Sequence, residues 1–195
     1  MFSFSFGRLS VRILVLLTLL LWVPGAVRAD LKLLQPNPAE PATFVGHGGY
    51  SADGLGQNGT GKTIQAEVPA GSTVVQAYLY ASYFSTPSPI PLDRRTINFD
   101  GSTVILQGLP NVPGLGGALN AARGDVTAQV AAKVQSGGGI FDFAINSDPA
   151  GVDGVALVVI FENPALPLTT IAVLDGGATQ AGDTATFNFA GPLDK

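Results

Sequence analysis

Five dipeptides that favour left-handed backbone, Asp53-Gly54, Asn58-Gly59, Asp100-Gly101, Asp153-Gly154 and Asp175-Gly176, punctuate runs rich in Val, Ile, Thr and Phe. Such pairs supply the positive φ angles of tight turns, so short β-branched runs between them read as strands. The clearest case is Thr96-Ile97-Asn98-Phe99, then Asp100-Gly101, then Ser102-Thr103-Val104-Ile105, which predicts a hairpin. From Lys62 to Val68 the residues Ile64, Ala66 and Val68 alternate with Thr63, Gln65 and Glu67; Pro69-Ala70-Gly71-Ser72 ends the run, and a long strand resumes from Thr73 to Phe84. Further strands are predicted over 140–145, 154–162, 169–174 and 184–189. Residues 155–161 do not alternate, which predicts a central strand covered on both faces.

One helix is predicted, near 125–136. Asp125 can cap a segment in which Val126, Val130 and Val134 recur every fourth residue, Lys133 lies in the last turn, and Gly137-Gly138-Gly139 ends it. Residues 46–61, with seven glycines, and 86–93, with three prolines, read as loops. The expected fold class is all-β: an antiparallel β-sandwich of jelly-roll type with that one short helix.

Compartment follows from the first residues. Arg8 and Arg12 precede an apolar run over 13–23, then Pro24-Gly25 and Val27-Arg28-Ala29, the pattern of a secretory signal peptide cleaved after Ala29. Eleven residues are too few to cross a bilayer, which takes about 20. The mean hydropathy of +0.35 is thus concentrated in a removable segment. Taking 29 residues from 195 leaves 166, with 30–42 as an extended lead-in and 43–195 as one β-sandwich domain. Loss of Arg8, Arg12 and Arg28 moves the net charge from −4 to −7, a surface that repels nucleic acid and anionic lipid. No membrane span is expected after cleavage, and the expected location is secreted, extracellular or cell envelope.

The chain contains no cysteine and one histidine, His47, which removes disulfides, thiolate sites and most imidazole chemistry. Residues 56–63, Gly-Gln-Asn-Gly-Thr-Gly-Lys-Thr, match the P-loop expression, but a P-loop needs a helix starting at its Lys, and Lys62 opens a period-two strand. No nucleotide is therefore expected there, and His47 among glycines reads as a structural residue. Paired carboxylates would be needed for a glycan-active hydrolase, yet most acids here read as turn or cap residues. Asn146, Asp148 and Asp153 cluster oxygen ligands and are the candidate calcium site; no other cofactor is indicated. Tyr78 and Tyr80 share a strand face with Gln76 and Ser82, and an exposed pair of this kind stacks on sugar rings; the alternative is packing across the sheet.

Tyr50-Ser51-Ala52-Asp53-Gly54-Leu55-Gly56, residues 64–74, Ala77-Tyr78-Leu79-Tyr80, Gly124-Asp125-Val126-Thr127 and residues 153–161 together resemble exported bacterial surface proteins that carry a PEP-CTERM sorting signal, and related DUF3344-like, adhesin-type β-rich domains. The resemblance covers most of the mature chain through strand and turn motifs, and carries no catalytic residue. It implies a bacterial envelope or matrix location with a structural or adhesive role. No Pro-Glu-Pro, apolar span or basic tail follows Phe187-Asn188-Phe189, so a shortened member is expected, with part of a sheet missing or supplied by a partner. The expected function is a non-enzymatic secreted surface or matrix protein that meets envelope components, polysaccharide among them. The alternatives are a carbohydrate-binding module using the Tyr78/Tyr80 face and a secreted glycan-active hydrolase.

Overall fold

The computed structural model describes residues 32–33, 43–56, 62–84, 95–109, 119–135, 137–147 and 152–176. The expected leader, most of the expected lead-in, Asp148 and the strand expected over 184–189 lie outside the described residues. The elements are β1 (Lys32–Leu33), β2 (Thr43–Gly56), β3 (Lys62–Val68), β4 (Thr73–Phe84), β5 (Arg95–Phe99), β6 (Ser102–Gly108), β7 (Leu119–Asp125), α1 (Thr127–Val134), β8 (Gly139–Ser147), β9 (Val152–Glu162), β10 (Leu168–Ala172) and β11 (Leu174–Asp175). The fold is all-β with a single short helix among the described residues, and every strand pair among them is antiparallel.

Nine strands follow one hydrogen-bonded order, β10-β2-β9-β4-β7-β6-β5-β8-β3, and β1 pairs with β11 in a separate two-stranded ribbon. The long sheet folds over on itself. Ala77, Leu79 and Ala81 of β4 and Val155, Leu157 and Val159 of β9 share one apolar cluster with Ile64 of β3, Ile97 and Phe99 of β5, Leu106 of β6 and Phe143 of β8. The rings of Phe99 and Phe143 stack at its centre, 5.1 Å apart and 10° from parallel.

The two seams of this folded sheet differ. At one, β6 and β7 share only the rungs Gln107/Arg123 and Gly108/Ala122. At the other, β3 has no strand beyond it in the order, and its Gln65 and Glu67 N–H groups donate instead to side chains of β2, Asp53 Oδ2 at 2.8 Å and Ser51 Oγ at 2.9 Å.

The hairpin β5–β6 forms as expected, with Asp100 at φ 49° and Gly101 at φ 84°. The helix is also found where its valines place it, with Val126, Val130 and Val134 buried, but the N-cap position is Val126, which has no side-chain cap bond, and not Asp125 as expected; Asp125, one residue earlier, accepts the Thr127 N–H through Oδ1 at 2.7 Å. The start of the helix is fastened to β4, where Ala77 C=O takes the Val126 N–H and Ala77 N–H goes to Thr127 Oγ1, both at 2.9 Å. The central strand expected over 155–161 is β9, lying between β2 and β4.

Two expectations are corrected. The glycine-rich stretch expected to loop from residue 46 is strand as far as Gly56, and the Asp53-Gly54 and Asp153-Gly154 pairs lie within β2 and β9 rather than in turns. Glycine is unfavourable in strands except where backbones approach closely, and that exception holds at Gly48. His47 C=O accepts from Asn163 N–H while Gly48 N–H donates to Pro167 C=O. Those two groups belong to one peptide and point to opposite edges of β2, so the chain between β9 and β10 crosses β2 at this point. A Cβ on Gly48 would lie 2.2 Å from Phe161 O. Asn163 holds the crossing, its buried amide donating to Ala70 C=O and Ser72 Oγ at 3.0 Å each.

Candidate functional site

The densest group of chemically capable side chains lies on the outer face of β4 and β7, away from the main core. Alternation puts Gln76, Tyr78, Tyr80 and Ser82 on this face of β4, and the register sets Asp125 opposite Tyr78 and Arg123 opposite Tyr80. Residues directly opposite one another in adjacent strands share a face, so Arg123 reaches the tyrosines. Its guanidinium carbon is 4.7 Å from the centre of the Tyr78 ring, a cation–π arrangement. The two tyrosine rings meet edge to face at 6.4 Å and 62°.

Asp175 of β11 closes the group from outside. It pairs with Arg123 and accepts the Tyr80 hydroxyl at 2.7 Å. The side chains of Arg123 and Asp175 are only 15% and 12% exposed, so little water screens the pair. Burial first, then the hydrogen bond to Asp175 and its negative charge, push the Tyr80 hydroxyl well above the usual phenol range, while Arg123 pulls in the opposite direction. The phenol therefore stays a donor at every physiological pH.

Two hollows flank this network. An apolar groove of about 380 Å³ is floored by small residues, Gly54, Gly56, Ser82, Gly154 and Ala156, with Tyr80 also lining it. A polar cleft of about 340 Å³ sits at the β6/β7 seam, lined by Thr103, Ile105, Gln107, Arg123, Asp125 and Gln129.

The residues singled out in the sequence fall as follows. Tyr78 is 0% exposed and offers no surface to a sugar ring, and Tyr80 is half-buried beneath Asp175, so the pair packs across the sheet. Asn146 is exposed on β8 beside Asn98, and Asp153 is half-buried on β9; Asp148, the third calcium candidate, lies outside the described residues. No group of three or more potential metal ligands among His, Asp and Glu occurs among the described residues. The His47 Nδ1–H donates to Leu166 C=O at 2.7 Å, anchoring the crossing of β2. Strand β3 begins at Lys62, whose ammonium donates to Gly56 C=O at 3.2 Å, so the P-loop match has a strand where a phosphate site has a helix N-terminus.

Arg123, Asp175, Gln107 and Gln129 were not expected as site residues. Arg123 carries a signal in hindsight, a lone cation in the small-residue run Ala121-Ala122-Arg123-Gly124. Asp175 carries none, because an Asp-Gly pair reads as a turn wherever its partner lies far away in sequence. Compared with protein-family models, curated proteins and solved structures, the chain shows no significant match to any of them.

Proposed function

We propose that the chain is an exported, non-enzymatic structural protein of a cell surface or extracellular matrix, with an adhesive role toward envelope components. The observation that carries this reading is how the reactive side chains are employed. Asp53 holds the edge of β3, Asp100 holds Lys133, Asp125 holds the Thr127 N–H at the start of α1, Asp175 holds Tyr80 and Arg123, and His47 holds the β2 crossing. These groups, capable of acid–base chemistry, serve as fasteners of the fold. The leader pattern supports export, and the resemblance to exported surface proteins supports the role.

The test is expression of the full chain in a bacterial host, with fractionation and N-terminal sequencing, followed by co-sedimentation of the exported protein with isolated envelope and matrix material. The expected result is an exported product beginning at Asp30 that sediments with that material and leaves it chemically unchanged, with EDTA without effect. Cytoplasmic retention with an intact leader overturns the export reading, release of soluble sugars overturns the non-enzymatic one, and dispersal by EDTA restores the calcium alternative.

A further inference from the structure

The cleft at the β6/β7 seam is an interrupted strand pairing. Leu109 N–H donates to Ala121 C=O at 2.8 Å, and Gln107 stands opposite Arg123. Backbone groups of alternate residues point to the same edge of a strand, so Thr103 and Ile105 also direct their N–H and C=O groups toward β7. Continuing that register would set Ile105 opposite Asp125. The rung is absent from the pairing, because the chain turns at Val126 into α1, drawn toward β4 by the bond to Ala77. A wedge opens there. Into it project the Thr103 hydroxyl and the Gln107 and Gln129 amides, none of which bonds another described side chain, beside Asp125, whose Oδ1 alone is engaged by the helix. Ile105, 64% exposed, supplies an apolar wall. Gly124 leaves room for this approach, since a Cβ there would lie 2.6 Å from Val104 Cγ1 and 3.2 Å from Ile105 O.

We propose that this wedge binds a neutral, hydroxyl-rich ligand, the terminal one or two rings of a saccharide. Its volume lies at the small end of ligand sites, which run from about 300 to 1,000 Å³. The amides, the hydroxyl and the backbone groups of Thr103 and Ile105, which have no rung to β7 among the described residues, offer donors and acceptors in mixture, as a sugar requires, and Ile105 matches the C–H face of a ring. The charge of Arg123 is committed to Asp175 and the Tyr78 ring, which removes the main attraction for an anion. The wedge closes at the Gln107/Arg123 rung, so a polymer enters by its end rather than lying across the sheet. This site is separate from the buried Tyr78/Tyr80 pair and stands whether or not the protein is exported.

The test is an amide NMR titration of the purified protein with maltose, cellobiose and chitobiose, and with a uronic acid-containing disaccharide as the anionic control. Expected are shifts concentrated at residues 103–107, 123–125 and 129 with a neutral disaccharide. Gln107→Ala combined with Gln129→Ala should weaken that binding about tenfold, the loss of one or two hydrogen bonds, with an unchanged melting temperature because neither amide holds the fold. No shifts at the wedge with any neutral probe, shifts that persist undiminished in the double variant, or preference for the anionic control each overturn the proposal. Failure here leaves the structural role intact, since envelope co-sedimentation is read independently.

Discussion

Strand β4 is buried on both faces by two different means. On its inner face, Ala77, Leu79, Ala81 and Tyr83 enter a continuous apolar cluster fed by both layers of the folded sheet. On its outer face, Tyr78 is as fully buried as Leu79, but its ring lies beneath the Arg123 guanidinium, which pairs with Asp175, and Asp175 in turn accepts the Tyr80 hydroxyl. The inner face requires only apolar residues of suitable volume. The outer face requires particular partners from far along the chain, Arg123 of β7 and Asp175 of β11, and a charge left there without its mate is costly. One face is set by pattern and the other by pairing.

The largest effect that separates the two is expected from Leu79→Ala, a cavity in the inner face costing about 2–5 kcal/mol in denaturant unfolding; a loss below about 1 kcal/mol would mean that the two layers do not pack as one core. Next comes Asp175→Asn, which leaves Arg123 uncompensated and should cost about 1.5–3 kcal/mol. Combining Asp175→Leu with Arg123→Met should cost clearly less than the two single changes added together, measured in the same unfolding series. Strict additivity would show that the outer face is not a coupled network.

A smaller effect distinguishes the faces by pH. The Tyr80 hydroxyl is raised in the folded state by burial and by Asp175, so its stabilising contribution is complete below the ordinary phenol value of about 10 and is lost as pH rises beyond it. Tyr80→Phe should therefore flatten the alkaline fall in stability, followed by unfolding between pH 9 and about 11. An unchanged slope would detach Tyr80 from the network. The smallest expected effect is Asp125→Ala, about 0.5–1 kcal/mol for the loss of one exposed hydrogen bond to the Thr127 N–H, read from thermal melts.

How much of this was legible depends on the distance between cause and effect. The β5–β6 hairpin and α1 were readable because Asp100-Gly101 and the fourfold spacing of Val126, Val130 and Val134 act on their neighbours. Strand β2 was not, since its glycines answer to a chain segment more than a hundred residues later that crosses at Gly48. Strand β7 escaped for a related reason: Leu119-Asn120-Ala121-Ala122-Arg123-Gly124-Asp125 shows no apolar alternation, and its pairing with β4 and β6 supplies the order. The fork cleft was invisible for the same cause, because it exists only where a long-range ladder stops.

The seam between β2 and β3 has a consequence for strand addition. An unpaired strand edge is a template on which another chain can add itself. Here the Gln65 and Glu67 amides of β3 are already occupied by Asp53 and Ser51. A side-chain oxygen satisfies the amide without offering a fresh row of backbone groups, so at these two positions β3 presents no free donor to an added strand. Two short oxygen-bearing side chains thereby take, for two amides of this edge, the part that a neighbouring strand plays elsewhere.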